Sequence, residues 1–237
     1  MNISWEEICK VRSKVYGFLG TLLLEPIQNE NGSIIQGEFW QEFPLEANND
    51  RMKAGLDKLI ECTKGLEKYP VAEAVLLTQI EFTHLFHGPG QPQAPPWESY
   101  YRTPEKVLSG WPTLQVREVY RQHGFEIAAR NKQFEDHMGL ELIFLASVSE
   151  VLGQAFNDQD YQTASAIIKG QQEFITGHPL TWISEFASDA CSPESIGFYP
   201  ALIELIWGLL LEDSDLLSSM LEDVSNQIMA QGQGNIA

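Results

Sequence analysis

Two pairs of side chains have the spacing of metal ligands. Glu81 and His84 stand three residues apart and His137 and Glu141 four apart, so each pair would share one face of a helix. Helices that turn Glu and His inward are how bundle proteins hold paired metals. His87 lies one turn beyond His84. A complete set needs a second Glu-x-x-His motif and carboxylates from two further helices. The other histidines, His123 and His178, instead follow Tyr120 and Ile175 at that spacing. A metalloenzyme using Glu81, His84, His137 and Glu141 is therefore the rival reading. The favoured expectation is hydrogen-bonded histidines at helix surfaces, with no metal and no other cofactor.

A second group is more specific. Residues 88–101 run Gly-Pro-Gly-Gln-Pro-Gln-Ala-Pro-Pro-Trp-Glu-Ser-Tyr-Tyr, too rich in Pro and Gly for a helix or a central strand. Trp97, Tyr100 and Tyr101 give the segment more aromatic surface than a solvated linker needs, so it is packed down or used for binding. Further on, Glu135-Asp136-His137 heads a strongly apolar stretch, and Asp136 reads as a carboxylate in the first turn of a helix. Neither Ser99 nor any cysteine sits in a nucleophile elbow, and no Gly-rich phosphate loop follows a strand, so hydrolase and nucleotide-enzyme chemistry lack a motif.

The elements that must position these groups are helical. Ser4-Trp5-Glu6-Glu7 has the spacing of a capping box, and Ile8, Val11, Val15, Phe18, Leu19 and Leu22 follow at helical intervals. Residues 25–48 read as a loop with one short helix at 38–43. Amphipathic helices are expected over 50–68 and, after Pro70, over 71–87. Thr103-Pro104 and Pro112-Thr113 look like helix starts, and Gly124 like a left-handed helix end. Leu140, Ile143, Phe144, Val148, Val151 and Leu152 form one stripe of a long helix over 135–156. Helices are also expected over 161–175 and 180–190, from Ser192-Pro193 to about Leu211, and from a cap at Ser214 to about Gln231. The architecture implied is all-α, a single-domain bundle of about ten helices over 1–231, with 232–237 a frayed tail.

Composition narrows the partners. The chain has 237 residues, 43% hydrophobic and 20% charged, with a formal net charge of -18. That charge excludes a nucleic-acid surface, which needs clustered Lys and Arg. No Lys or Arg follows Lys169, so the C-terminal third projects negative potential toward any basic partner. Cys9, Cys62 and Cys191 are widely spaced and odd in number, which points to a reducing compartment. Glu6 and Glu7 stand where an export signal would be basic, and apolar runs are too short or interrupted for stable membrane insertion, so a cytoplasmic protein is expected.

Read in series, four motifs are specific. Leu85-Phe86-x-Gly88, Pro95-Pro96-Trp97-Glu98-Ser99-x-Tyr101, Val116-Arg117-x-x-Tyr120-x-x-x-Gly124 and Glu135-Asp136-His137-x-x-x-Glu141-Leu142-x-Phe144-Leu145 resemble the TorD/DmsD family of redox-enzyme maturation chaperones. His178-Pro179-Leu180-x-Trp182-x-x-x-Phe186 and Phe198-Tyr199 extend the likeness. The resemblance implies a cytoplasmic chaperone, not an enzyme, whose partners are the twin-arginine leader and the apo form of a molybdenum-containing oxidoreductase. Its leader-binding surface would fall on Trp97, Glu98, Ser99, Tyr101, Gly110, Asp136 and His137. A cationic, apolar-cored leader needs carboxylates beside aromatic surface. Glu98, Asp136 and Glu141 suit the first requirement, and Trp97, Tyr100, Tyr101 and Trp111 the second. Monomer and domain-swapped dimer both remain open.

Overall fold

The computed structural model describes residues 4–88, 90–127, 132–192 and 195–234. Among them it forms ten α-helices, one 3-10 helix at Asn29–Ile35 and no strand, only an isolated β-bridge between Trp97 and His137. The all-α expectation holds.

Helix α1 (Trp5–Leu24) begins where the capping box places it: Ser4 Oγ accepts from the Glu7 amide at 3.2 Å, and Glu7 Oε2 accepts from the Ser4 amide at 3.0 Å. It lies antiparallel on α7 (Met138–Asn157), with Gly20 against Gly139 at one end and Cys9 against Gly153 at the other. A Cβ on Gly139 would stand 2.7 Å from the Gly20 carbonyl oxygen, so only glycine allows this approach. Helix α7 is long and apolar enough to cross a membrane, but 67% of its apolar window is buried in the protein, which makes it a core helix.

Helices α3 (Asp50–Leu66) and α10 (Phe198–Gly234) make the second tight pair, also antiparallel, with Gly55 facing Leu205 and Gly208 facing Met52. Asn49 caps α3 by accepting from the Met52 amide at 2.8 Å, and its Nδ2 donates to the Gly208 carbonyl at 2.9 Å. The bundle closes around a buried ion pair. Arg12 of α1 holds Asp213 of α10 through Nε at 2.6 Å and Nη2 at 2.7 Å, while Tyr16 donates to Asp213 and Arg12 donates to Gln171 of α8 (Tyr161–Gly177). Burial alone would lower the Arg12 pKa; the charge and hydrogen bonds of Asp213 outweigh it and keep the guanidinium protonated.

Three local expectations fail for identifiable reasons. Residues 198–234 form one helix, not two meeting at Ser214. Ile206, Leu210, Asp213, Leu217, Met220 and Val224 keep a continuous buried stripe there, and one serine inside a helix costs only about 0.5 kcal/mol. The Ser192-Pro193 start falls partly on residues outside the described set. The helix begins instead at Phe198, where Glu81 of α4 (Val71–Phe86) accepts from the Gly197 amide at 2.8 Å and the Tyr199 amide at 3.0 Å. Thr103-Pro104 does not start a helix either: Thr103 ends α5 (Glu98–Arg102), which lies inside the segment expected to be helix-free. Helix α2 (Gly37–Gln41) matches the short helix anticipated near 38–43, and α6 (Trp111–Gln122) ends at Gly124 with φ +65° as expected. Helix α9 (Pro179–Ala190) opens on its proline. Of the tail expected to fray, 232–234 continue α10, and 235–237 lie outside the described residues.

The glycine contacts predict opposite signs for two similar substitutions. Gly139→Ala drives a methyl into α1 and should destabilise by about 1–3 kcal/mol. Gly65→Ala on the exposed face of α3, where a Cβ meets nothing within 4 Å, should stabilise by about 0.5–1 kcal/mol. Thermal unfolding followed by circular dichroism reads both, and equal effects at the two sites would contradict the packing described.

Candidate functional site

The β-bridge is the centre of the site. Pro96 to Glu98 run antiparallel to Asp136 to Met138: Glu98 N donates to the Asp136 carbonyl at 2.9 Å and Met138 N to the Pro96 carbonyl at 2.9 Å. The Pro-rich segment before it is packed down. Ala94 N bonds the Leu85 carbonyl at 2.8 Å, Gln93 Nε2 bonds the Asp189 carbonyl at 2.8 Å, and Pro95 and Pro96 are buried.

Both helices that follow the bridge are capped from its second arm. Asp136 is not in the first turn of α7. Its Oδ2 instead accepts from the Ser99 amide at 2.7 Å, supplying the N-terminus of α5 with the acceptor its own N-cap residue, Trp97, cannot give. That distant cap is why a helix forms where local sequence argues against one. His137 caps α7, its Nδ1 accepting from the Gly139 amide at 3.0 Å. An accepting Nδ1 requires the neutral ring. Burial, aided by the charge on His87, lowers the His137 pKa to about 3, in agreement. The Trp97 ring stands edge-on to the His137 ring, with centroids 5.2 Å apart.

Inside this frame lie three carboxyl groups with no solvent exposure. Glu98 is held by Arg102 on one oxygen and by His178 Nδ1 at 2.9 Å on the other. Asp136 uses one oxygen for Ser99, its Oδ1 has no hydrogen-bond partner, and burial raises its pKa against the lowering effect of Ser99. Neither Glu141 oxygen makes a well-formed hydrogen bond, although Glu98 and the Trp182 indole are its polar neighbours. Burial, and then the charges of Glu98 and Asp136, push Glu141 well above the usual carboxyl range, so the neutral acid is favoured. Trp182 Nε1 and Tyr101 Oη are also buried and make no well-formed hydrogen bond, and these two rings stack at 5.3 Å.

Nine of the ten residues that the sequence assigned to leader binding gather here with little exposure, and the tenth, Trp111, is exposed. Trp97, Glu98, Ser99, Tyr100, Asp136, His137 and Glu141 are buried, and Tyr101 and Gly110 are half-buried. The three carboxyl groups are not at the surface: Asp136 caps α5, Glu98 is paired, and Glu141 favours its neutral form. What lies open is a groove of about 630 Å³ beside them, lined by Arg102, Leu114, Gln115, Glu118, Val119, Gly177 and His178. Arg102 and the groove residues of α6 were not anticipated, although Glu98-x-x-x-Arg102 has the spacing of a helical ion pair. Trp111 and Leu114 at the rim are 46% and 59% exposed.

The four residues of the rival metal reading are not brought together. Glu81 caps α10, His84 is exposed on α4, His137 caps α7 and Glu141 is an interior acid. Among the described residues no group of three His, Cys, Asp or Glu side chains is arranged to hold a metal ion.

Two of the perturbed groups in the site give pH dependences of opposite sign. His137 binds a proton more readily in the unfolded chain, so the stability due to its neutral form is lost as pH falls from about 6.5 toward about 3. Glu141 binds its proton more readily in the folded chain, so its contribution is full below about 4.5 and is lost as pH rises toward its folded pKa. Glu141→Gln, a permanently neutral mimic, should match the parent in melting temperature near pH 4.5 and exceed it increasingly toward pH 8, by at most about 1.4 kcal/mol per pH unit. A parent more stable than the variant at pH 8 would contradict a buried neutral acid.

Residues 46–188 match the family model described as nitrate reductase delta subunit. The chain is 24% identical over 213 residues to Chaperone protein TorD of Vibrio cholerae serotype O1 (strain O395), covering 90% of this chain and 94% of the relative. It is 24% identical over 226 residues to Chaperone protein TorD of Psychrobacter sp. (strain PRwf-1), covering 92% and 96%. It is 31% identical over 122 residues to the Probable Tat proofreading chaperone DmsD of Haemophilus influenzae, covering 52% and 53%. The family match spans the bridge, both helices it caps and the groove, and the chain belongs to the nitrate reductase delta subunit family, as a TorD/DmsD-type chaperone and not an enzyme.

Proposed function

We propose that this chaperone works in the cytoplasm on the apo form of a molybdenum-containing oxidoreductase and binds its twin-arginine leader, delaying export until the cofactor is loaded. Family membership supports the class of client. The observation that carries the mode of binding is the groove between α6 and the junction of α8 with α9, which is open, has apolar walls at Leu114 and Val119, and reaches the buried Glu98 through Arg102 and His178.

A twin-arginine leader joins guanidinium groups to an apolar segment. Exposed Trp111 and Leu114 offer apolar contact at the rim, and the net charge of -18 favours encounter with a cationic chain. In this reading Trp97, Glu98, Ser99, Tyr100, Asp136, His137 and Glu141 support the groove from behind, Tyr101 lies on the same helix as Arg102, and Gly110 leads into α6. A substitution at Asp136 then acts through lost capping of α5. Asp136→Ala should lower both stability and peptide affinity.

The cleaner test lies at the rim. Leu114→Glu changes an exposed side chain and should leave the melting temperature within about 2 °C of the parent. It should weaken binding of a leader peptide by about tenfold or more, since it removes apolar contact from the groove wall. Calorimetry with a paired-arginine leader and with its paired-lysine analogue reads the effect. No binding of either peptide to the parent, with capture of the leaderless apoenzyme intact, would move the contact to the mature part of the client.

A further inference from the structure

Arg102 makes the contacts by which proteins recognise an arginine that is not their own. Its Nη1 bonds Glu98 Oε1 and, at 2.9 Å, the Gly177 carbonyl, and its guanidinium lies over the Trp111 ring at 4.6 Å. A carboxylate and a carbonyl that share Nη1, with an indole face beside them, match the charge, the two N–H bonds of one nitrogen and the planar face of a guanidinium, and it is the stacked face that an ammonium does not match equally. The carboxylate is fixed independently of Arg102, because His178 holds its second oxygen at 2.9 Å. Glu98 has no exposure, whereas the Arg102 side chain is 25% exposed and forms part of the groove wall. Arg102 is thus the layer between groove and buried carboxylate.

Its position in the chain suits it to leave. Arg102 is the last residue of the five-residue helix α5. The segment beyond it carries two non-glycine residues at positive φ, Lys106 at 50° and Ser109 at 62°, and exposes Val107 and Leu108. A side chain at a helix end can change rotamer without breaking the backbone pairing that anchors Glu98.

We propose that Arg102 is a resident stand-in for a client arginine, which takes over Glu98, the Gly177 carbonyl and the Trp111 face when Arg102 swings into the groove. The inference rests on the client-binding reading above and adds a recognition element to it. The occupant is an arginine with an aliphatic neighbour, because Leu114 lies exposed in the groove wall. Self-occupancy lowers apparent affinity by the fraction of molecules in which the receptor is free. It also keeps the carboxylate paired when no client is present, where an orphaned buried charge would cost stability.

The test uses the full chain as parent, Arg102→Ala and Arg102→Lys, with ethylguanidinium chloride as probe and equimolar ethylammonium chloride as control. Ethylguanidinium should raise the melting temperature of Arg102→Ala and not of the parent, and ethylammonium should do so for neither. A paired-arginine leader peptide should bind Arg102→Ala about tenfold tighter than the parent if the receptor is free in about one parent molecule in ten. Absence of a guanidinium-specific shift in folded Arg102→Ala, or weaker peptide binding by it, overturns the proposal. If Arg102→Ala does not fold, Arg102→Lys decides, since it keeps a cation on Glu98 but loses the planar stack: tighter peptide binding than the parent supports the proposal, and unchanged or weaker binding overturns it. A guanidinium-specific shift in Arg102→Ala, with no leader binding by any of the three proteins, would keep the receptor and remove the client reading.

Discussion

Two backbone hydrogen bonds, Glu98 to Asp136 and Met138 to Pro96, are the constraint on which the rest of the site depends. They join segments nearly forty residues apart at the point where each becomes a helix. Two side chains from the same short stretch then complete those helices: the Asp136 carboxylate at α5 and the His137 ring at α7. Because α7 is clamped to α1 through Gly20 and Gly139, the bridge ties a Pro-rich connection to the most tightly packed part of the bundle. A connection of that composition would otherwise have little to order it. Here its position is set by the core.

That arrangement accounts for three carboxyl groups in the interior. Buried charge is costly unless paired or neutralised, and each group meets the cost differently. Glu98 is paired with Arg102 and His178, Asp136 accepts from an amide, and Glu141 favours its protonated form. None of these three groups is exposed to solvent. The groove has an apolar and aromatic rim, with Arg102 and His178 between it and the buried Glu98.

Sequence reasoning reached the helices whose signals are local. The capping box of α1, the proline start of α9 and the left-handed glycine after α6 each act within a few residues of where they sit. It failed where a cap comes from elsewhere in the chain: Asp136 on α5, and Glu81 on α10. It also divided α10 at Ser214, because the buried Asp213 that keeps that turn in the core is explained only by Arg12, two hundred residues earlier. The segments that the motifs picked out meet in the fold. The motifs could not say which atoms face water. Acidic and aromatic residues suit an open receptor and a buried polar framework equally well in composition, and only the packing of α5 against α9 decides that these are mainly the framework.

The account stands or falls on the bridge behaving as one unit with α7. Native-state hydrogen exchange at Glu98, Ser99 and Met138 tests this most directly, because these three amides are bonded across the two segments. They should exchange slowly and with closely similar opening free energies, near those of the central amides of α7. Asp136→Ala should speed all three together while leaving α3 and α10 protected. Rapid exchange of Glu98 and Ser99 with α7 still protected would mean that the Pro-rich connection moves independently, and that the groove and its arginine are not held in the geometry described.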